Sequence, residues 1–244
     1  VGLFLVLGLH LLAVLAPLLA THEPGAYTDP VADRFLSPSP EHWMGTDMIG
    51  RDVYSRLVYG SRVSLAIGVL SVLVNLLLGS LVGGVSGYFR GWIETVLMRF
   101  TDLMLAFPRL FLILALVAFF SPSTWLVVLV LGTTGWMGVA RVVRGGVLQV
   151  KTSDYVEAGR ALGIPRPRLL LRHVLPAATG PVLVAGAFAV AWGILLESAV
   201  SFLGFGVRVP VPSWGAVLSE SRIPEHWWIQ LFPGLLIFLT VLCW

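Results

Sequence analysis

Apolar residues in this chain come in long unbroken runs separated by shorter polar stretches. The runs lie at about Val1–Ala20, Val63–Tyr88, Val96–Phe120, Thr124–Val147, Pro181–Leu203 and Trp227 to Trp244. Each is roughly twenty residues, the length a helix needs to cross a bilayer core. Because lipid offers no hydrogen bonds to a bare backbone, such runs must be helical. The pattern therefore predicts an all-α, polytopic membrane helical bundle of about six transmembrane helices. On this reading residues 1–20 are a first span and 21–62 a polar segment that ends in an interfacial helix. Residues 63–244 are the transmembrane domain, with a polar loop at 149–180.

The longest polar, strongly basic interruption of the apolar pattern is Lys151 to Pro176, KTSDYVEAGRALGIPRPRLLLRHVLP. Asp154 is suited to an N-cap, and Glu157 three residues on can reach back as in a capping box. Gly163 is placed to take the left-handed turn that ends a helix, and Pro165 and Pro167 prevent continuation. The intervening helix is too short to be stable alone in water. Tyr155, Ala158, Gly159 and Leu162 recur at helical spacing and give it one small, apolar face, with Ala161 beside it. Two uses fit such a helix: a docking surface for another protein, or a plain link between spans.

Orientation follows from the short-loop Lys and Arg. Arg141, Arg144, Lys151, Arg160, Arg166, Arg168 and Arg172 put this connection on the cytoplasmic side. Alternation then places Thr21 to Arg62, the turn Ser121 to Ser123, and Gly204 to His226 outside.

Within the spans, Gly79, Gly83 and Gly87 repeat every fourth residue and form a ridge where another helix backbone can come close. Asn75 lies one turn earlier. Arg99 and Asp102 sit three apart on one helical face near the inner boundary, which suits a local ion pair or interfacial snorkelling, and Pro108 predicts a kink. Glu197 is the costliest residue, since a carboxylate at membrane depth must be paired or face water. Asn75, Asp102 and Glu197 are thus the candidates for lining a pathway, with structural pairing the alternative for Glu197.

In the outer segment, Gly45 and Gly50 allow tight turns and Thr46 or Asp47 can cap the helix that follows. His42 and Asp47 lack metal-ligand spacing, so no metal site is expected.

Composition sharpens the class. The 244 residues are 57% hydrophobic and 12% charged, with mean hydropathy +0.89. Ordinary soluble domains carry about twice that charge fraction. The sequence pI near 9.4 does not indicate nucleic acid, because the basic residues flank apolar runs instead of forming a patch on a soluble fold. Cys243 has no intrachain partner for a disulfide. No phosphate-binding loop, zinc-protease motif or serine-nucleophile elbow occurs, which argues against an enzyme. Both ends fall inside apolar runs and read as cut.

Glu157-Ala158-Gly159, then Gly163, then Leu175-Pro176 resemble the cytoplasmic EAA signature of ABC importer permeases. Gly159 stands where a second Ala is usual, and His173 where the motif has Ile. MGTDMIGRDVYSRLVYGSRVSLAIG (Met44 to Gly68), MRFTDLMLAFP (Met98 to Pro108), LESAVSFLGFG (Leu196 to Gly206) and PSWG (Pro212 to Gly215) are similar to the dipeptide/oligopeptide branch, in its "C"-type permease subunit. The matching positions are Gly45, Thr46, Asp47, Gly50, Arg51, Asp52, Pro108, Ser201, Phe202, Leu203, Gly204, Trp214 and Gly215.

The resemblance implies a fold of the type I importer permease kind in a bacterial or archaeal cell membrane. It implies a second homologous permease subunit as heterodimer partner, ATP-binding subunits and an extracytoplasmic solute-binding protein. ATP and Mg would sit on the ATPase, with no cofactor on this chain. Asp154, Tyr155, Glu157, Ala158, Gly159, Ala161, Leu162, Gly163 and Pro176 would form the ATPase-coupling surface. The cargo would be a di- or oligopeptide, with nickel or another small solute as the alternative. A different class, a channel or secondary transporter relaying ions through Glu197 and Asp102, would need no ATPase.

Overall fold

The computed structural model describes residues 2–27, 29–120, 123–207 and 210–244. Its regular elements are helical. They are α1 (Gly2–Val14), α2 (Ala16–Leu19), α3 (Val53–Phe89), α4 (Gly91–Ala106), α5 (Arg109–Phe119), α6 (Thr124–Thr133) and α7 (Trp136–Val150). There follow α8 (Asp154–Ala161), α9 (Arg166–Leu169), a π-helical turn (Leu170–Val174), α10 (Leu175–Ala177) and α11 (Thr179–Phe202). The chain ends with α12 (Trp214–Leu218), a 3-10 turn (Pro224–His226) and α13 (Trp227–Cys243).

Three single helical stretches are long and apolar enough to cross a membrane: Val53–Phe89, Thr179–Phe202 and Pro224–Cys243. Two bent pairs, Gly91–Ala106 with Arg109–Phe119 and Thr124–Thr133 with Trp136–Val150, pass the same test together. Gly2–Val14 is apolar but shorter. The expected interfacial helix and second span are one continuous helix of 37 residues, about 55 Å long at 1.5 Å per residue. The expected turn at Ser121 to Ser123 falls largely on residues 121–122, outside the described residues. The kink expected at Pro108 is a break. Phe107 is extended at φ −80°, ψ 132°, as the residue before a proline tends to be, and α5 starts only at Arg109.

The chain divides into two compact units, Val1–Leu70 with Ile113–Leu131 and Val190–Trp244, and Ser71–Leu112 with Gly132–Ala189. In the second unit the glycine ridge of α3 packs on α7. A β-carbon on Gly79 would lie 2.6 Å from Val139 Cβ, and one on Gly87 would lie 3.0 Å from both Arg144 O and Val147 Cβ. One on Gly83 would overlap the carbonyl of Ala140. The backbones meet because the side chains are absent, the small-residue packing that apolar solvents favour.

Two ion pairs join α7 to α4: Arg144 with Glu94 and Arg141 Nη2 with Asp102 at 2.6 Å. Arg141 and Arg144 therefore belong to a helix, not to the basic loop, and of the two readings of Arg99 and Asp102 the local pair gives way to Asp102 with Arg141. Many large apolar side chains, Phe4, Leu18, Trp92 and Phe119 among them, are exposed, as suits a chain whose solvent is lipid.

Gly83→Val should overpack the contact between α3 and α7, destabilising by about 1–3 kcal/mol. Thermal unfolding of the detergent-solubilised protein would show it as a lowered midpoint, whereas Gly138→Val, where nothing lies within 4 Å of the added carbon, should shift it little.

Candidate functional site

The basic loop of the second unit begins at Lys151. Its ammonium donates to Gly87 O at 2.7 Å, a carbonyl in the last turn of α3 that has no intrahelical partner to expect. A cation at a helix C-terminus also meets the negative end of the macrodipole. Burial lowers the pKa of Lys151, and the nearby Arg90 charge lowers it further.

Ser153, not Asp154, is the N-cap of α8: its carbonyl accepts from Val156 N at 3.0 Å and Glu157 N at 3.1 Å. The capping box expected of Asp154 and Glu157 is absent, because Asp154 is already helical and the Ser153 hydroxyl donates backward to Val150 O at 2.6 Å. The acidic pair instead lies in the first turn, where the helix dipole favours it. At the other end Gly163 takes φ +76°. Gly163 N donates to Arg160 O at 3.0 Å and Ile164 N to Gly159 O at 3.1 Å, the paired bonds of a Schellman turn.

The face expected to dock divides in two. Gly159 turns inward with Val156, both buried, onto a core of Val147, Leu169, Leu170 and Val174 with Ile164 packed against it. A β-carbon on Gly159 would lie 2.9 Å from Leu169 Cδ1, so glycine at this position lets the helix sit down on Leu169. Asp154, Tyr155, Glu157, Ala158, Ala161 and Leu162 face outward. Leu162 is 81% exposed and Tyr155 51%, large apolar surface on an otherwise charged loop. Gly163 and Pro176 are exposed as well.

Next to this helix a cavity of about 310 Å³ is lined by Tyr88, Phe89, Arg90, Lys151, Arg160 and Arg166. The Arg160 guanidinium lies 5.8 Å from the Tyr88 ring centroid. The loop thus presents exposed apolar side chains beside concentrated positive charge. Sequence reasoning passed over Val156 and Leu169. The one available signal was Val156 and Gly159 at i and i+3.

The motifs of the first unit form two buried polar clusters. Thr46 and Asp52 make an isolated antiparallel bridge, closing the turn that Gly45 (φ +73°) and Gly50 (φ +83°) permit. Thr46 Oγ1 accepts from Leu36 N at 2.7 Å and donates to Asp33 O at 2.6 Å. Asp47 takes Arg51 Nε at 2.6 Å and also pairs with Arg56. Glu220 completes the network, 2.9 Å from Arg51 Nη2 and 2.6 Å from Arg56 Nη1. Burial pushes the Glu220 carboxyl up, against the Arg56 charge beside it. Asp52 caps α3, accepting from Ser55 N at 2.8 Å, a role expected of Thr46 or Asp47. His42 and Asp47 do not come together. His42 Nδ1 lies 3.0 Å from Asp52 Oδ1, and His22 adjoins them.

Glu197 on α11 is fully buried among hydroxyls, with Ser201 Oγ at 2.8 Å and Ser64 Oγ at 3.0 Å. Ser64 Oγ also accepts from Trp214 N at 3.1 Å, and the Trp214 indole donates to Leu57 O at 3.0 Å. Gly215 lets this segment touch α11, since a β-carbon there would be 2.5 Å from Ser198 O. After Ser201, the Phe202 ring stacks under Arg222 at 4.9 Å, and Leu203 and Gly204 (φ +85°) lead the chain out, both exposed. Asp102 is half exposed on its ion pair. Asn75 is buried in the second unit, its Oδ1 without a hydrogen-bond partner among the described residues.

A polytopic helical chain with a short seated helix between spans defines a membrane helical bundle, and a solved structure shares the fold. A chain of the MetNI methionine ABC transporter, in an inward-facing conformation, superposes with a TM-score of 0.61 over 76% of this chain and 91% of its own, at 16% identity. Residues 75–244 match the family described as binding-protein-dependent transport system inner membrane component, and the chain belongs to that family. It is 38% identical to the dipeptide transport system permease protein DppC of Bacillus subtilis, over 98% of this chain and 75% of that protein. It is 35% identical to the oligopeptide transport system permease protein OppC of the same organism, over 99% and 79%. The glutathione transport system permease protein GsiD of Pectobacterium atrosepticum is 38% identical, over 99% and 80%. The chain is thus a permease subunit of an ABC importer, in the dipeptide/oligopeptide branch.

Two substitutions test the geometry. Gly163→Val forces a β-branched residue into a left-handed turn with no steric neighbour to blame, so the cost of about 1–2 kcal/mol is the backbone's own. Amide exchange across residues 154–163 should quicken by about tenfold. Asp47→Ala leaves the buried Arg51 and Arg56 short of their shared carboxylate and should destabilise by about 3–5 kcal/mol, read as a lowered thermal midpoint.

Proposed function

We propose that this subunit forms half of a translocation pathway for di- or oligopeptides. In this reading the loop at 149–180 is cytoplasmic and docks on a separate ATP-binding subunit. A second, homologous permease completes the pathway, and an extracytoplasmic solute-binding protein delivers cargo. ATP and Mg belong to the ATPase, and this chain performs no chemistry of its own.

The observation that carries the reading is the division of α8 between two jobs. Val156 and Gly159 seat the helix in the core of its own unit, while Tyr155, Glu157, Ala158 and Leu162 point away from it. A helix anchored on one side and bare on the other transmits the displacement of its partner as rigid-body movement. The cargo class follows the names of the relatives, which include dipeptide, oligopeptide and glutathione systems. Of the polar candidates for the pathway, Asn75 keeps an oxygen with no hydrogen-bond partner among the described residues. Glu197 is spent on serine hydroxyls and Asp102 on Arg141.

Reconstituted with its partner subunits, the protein carrying Leu162→Asp or Glu157→Lys should assemble and stay folded, because both side chains are exposed. Uptake driven by ATP should fall by about tenfold or more, the usual cost of removing an interface anchor, while basal ATP hydrolysis continues. Normal coupled uptake by both variants would overturn the docking role, and uptake by this chain without an ATPase would favour a channel or secondary transporter.

A further inference from the structure

His22, His42 and Asp52 lie far apart in sequence, yet their ligand atoms all fall within 4.8 Å of one another. His42 Nδ1 is 3.0 Å from Asp52 Oδ1, and His22 Nδ1 is 3.8 Å from Asp52 Oδ2. Two imidazoles thus bring the same ring nitrogen to the two oxygens of one carboxylate. In a tetrahedral site with bonds of about 2.0–2.2 Å, neighbouring ligand atoms are about 3.3–3.6 Å apart. The two histidine–carboxylate separations bracket that value, and the widest spacing in the group, within 4.8 Å, must close by side-chain rotation when an ion binds.

The two imidazole rings lie 4.9 Å apart, tilted by 33°, and a neutral imidazole offers a ring-nitrogen lone pair to a metal ion. Asp52 is held for the purpose: it is buried, and Ser55 N fixes its Oδ2 at 2.8 Å. Metal ligands held by such outer hydrogen bonds lose little freedom on binding. Thr21 Oγ1 lies 3.0 Å from His22 Nδ1, 3.4 Å from Asp52 Oδ2 and 3.2 Å from Ser55 Oγ, where it can hold a water in the fourth position.

We infer that His22, His42 and Asp52 form a binding site for a divalent transition-metal ion of the zinc class, which ties the chain leaving α2 to the segment that leads into α3. Two nitrogens and a carboxylate oxygen suit zinc and disfavour magnesium or calcium, which take oxygen ligands in larger number. The ion joins Thr21–His22 to the loop at 42–52, a stretch with no regular secondary structure of its own beyond one bridge.

The test uses the assembled transporter, purified without a polyhistidine tag and stripped by a chelator, then titrated calorimetrically with Zn²⁺ and spectroscopically with Co²⁺. One equivalent should bind, Co²⁺ should give the strong visible absorption of four-coordination, and Zn²⁺ should raise the thermal midpoint. His22→Ala, at a position exposed enough to leave the fold intact, should weaken binding by at least about tenfold and abolish the shift of the midpoint. His42→Ala should do the same and lose the Co²⁺ spectrum. Weak binding at several equivalents, or an affinity unchanged in His22→Ala, would overturn the assignment. Either result would leave the docking role of α8 untouched, since that rests on other residues.

Discussion

The close approach of α3 and α7 along Gly79, Gly83 and Gly87 is the constraint on which the second unit depends. In lipid there is no hydrophobic force to press two helices together, so contact must come from fit and from polar bonds that only proximity allows. Glycine supplies the fit at a cost in helix propensity of about 1 kcal/mol per residue. The return is geometric. With the helices this close, Lys151 at the end of α7 reaches the Gly87 carbonyl, and Val147 and Tyr88 share one core with Val156 and Leu169. A wider separation would leave a terminal carbonyl of α3 without its ammonium and α8 without its floor.

That floor determines what α8 can do. An isolated helix of 8 residues would not hold its shape in water. Here two inward residues, a Schellman turn and a backbone cap hold it within its own unit. Gly159 bears directly on this point. As a residue of an exposed docking face it would only weaken the helix, but as an inward residue it admits Leu169. The glycine is therefore paired with a large neighbour, and the outward residues of α8 seat nothing.

What was legible in the sequence was what local chemistry decides. Gly163 and the prolines after it mark the end of α8, since left-handed backbone is a property of the residue itself. Pro108 marks a break for the same kind of reason, and the fourfold spacing of glycines marks a helix contact. Where the sequence misled, a non-local partner had won. The cap moved from Asp154 to Ser153, and the docking face lost Gly159 to a leucine ten residues away. Asp102 pairs with Arg141 on the helix alongside. His22 and Asp52 were invisible as a pair because the chain between them has no periodicity to place one against the other.

The first unit meets a different constraint, the cost of burying charge. A lone ionised side chain away from water costs several kcal/mol, and pairing recovers that only when every remaining lone pair and proton is also engaged. Asp47, Arg51, Arg56 and Glu220 come close to that condition as two acids against two bases. Glu197 meets the requirement with neutral donors, surrounding its carboxyl with serine hydroxyls drawn from α3 and α11. Such clusters contribute less to stability than an apolar core of equal volume, yet they tolerate no alternative register. A helix displaced by one residue would strand a charge, whereas displaced leucines would only repack. That intolerance has a structural use. It lets loops at 45–52 and 213–215 be held to fixed helix positions by bonds that either form completely or fail.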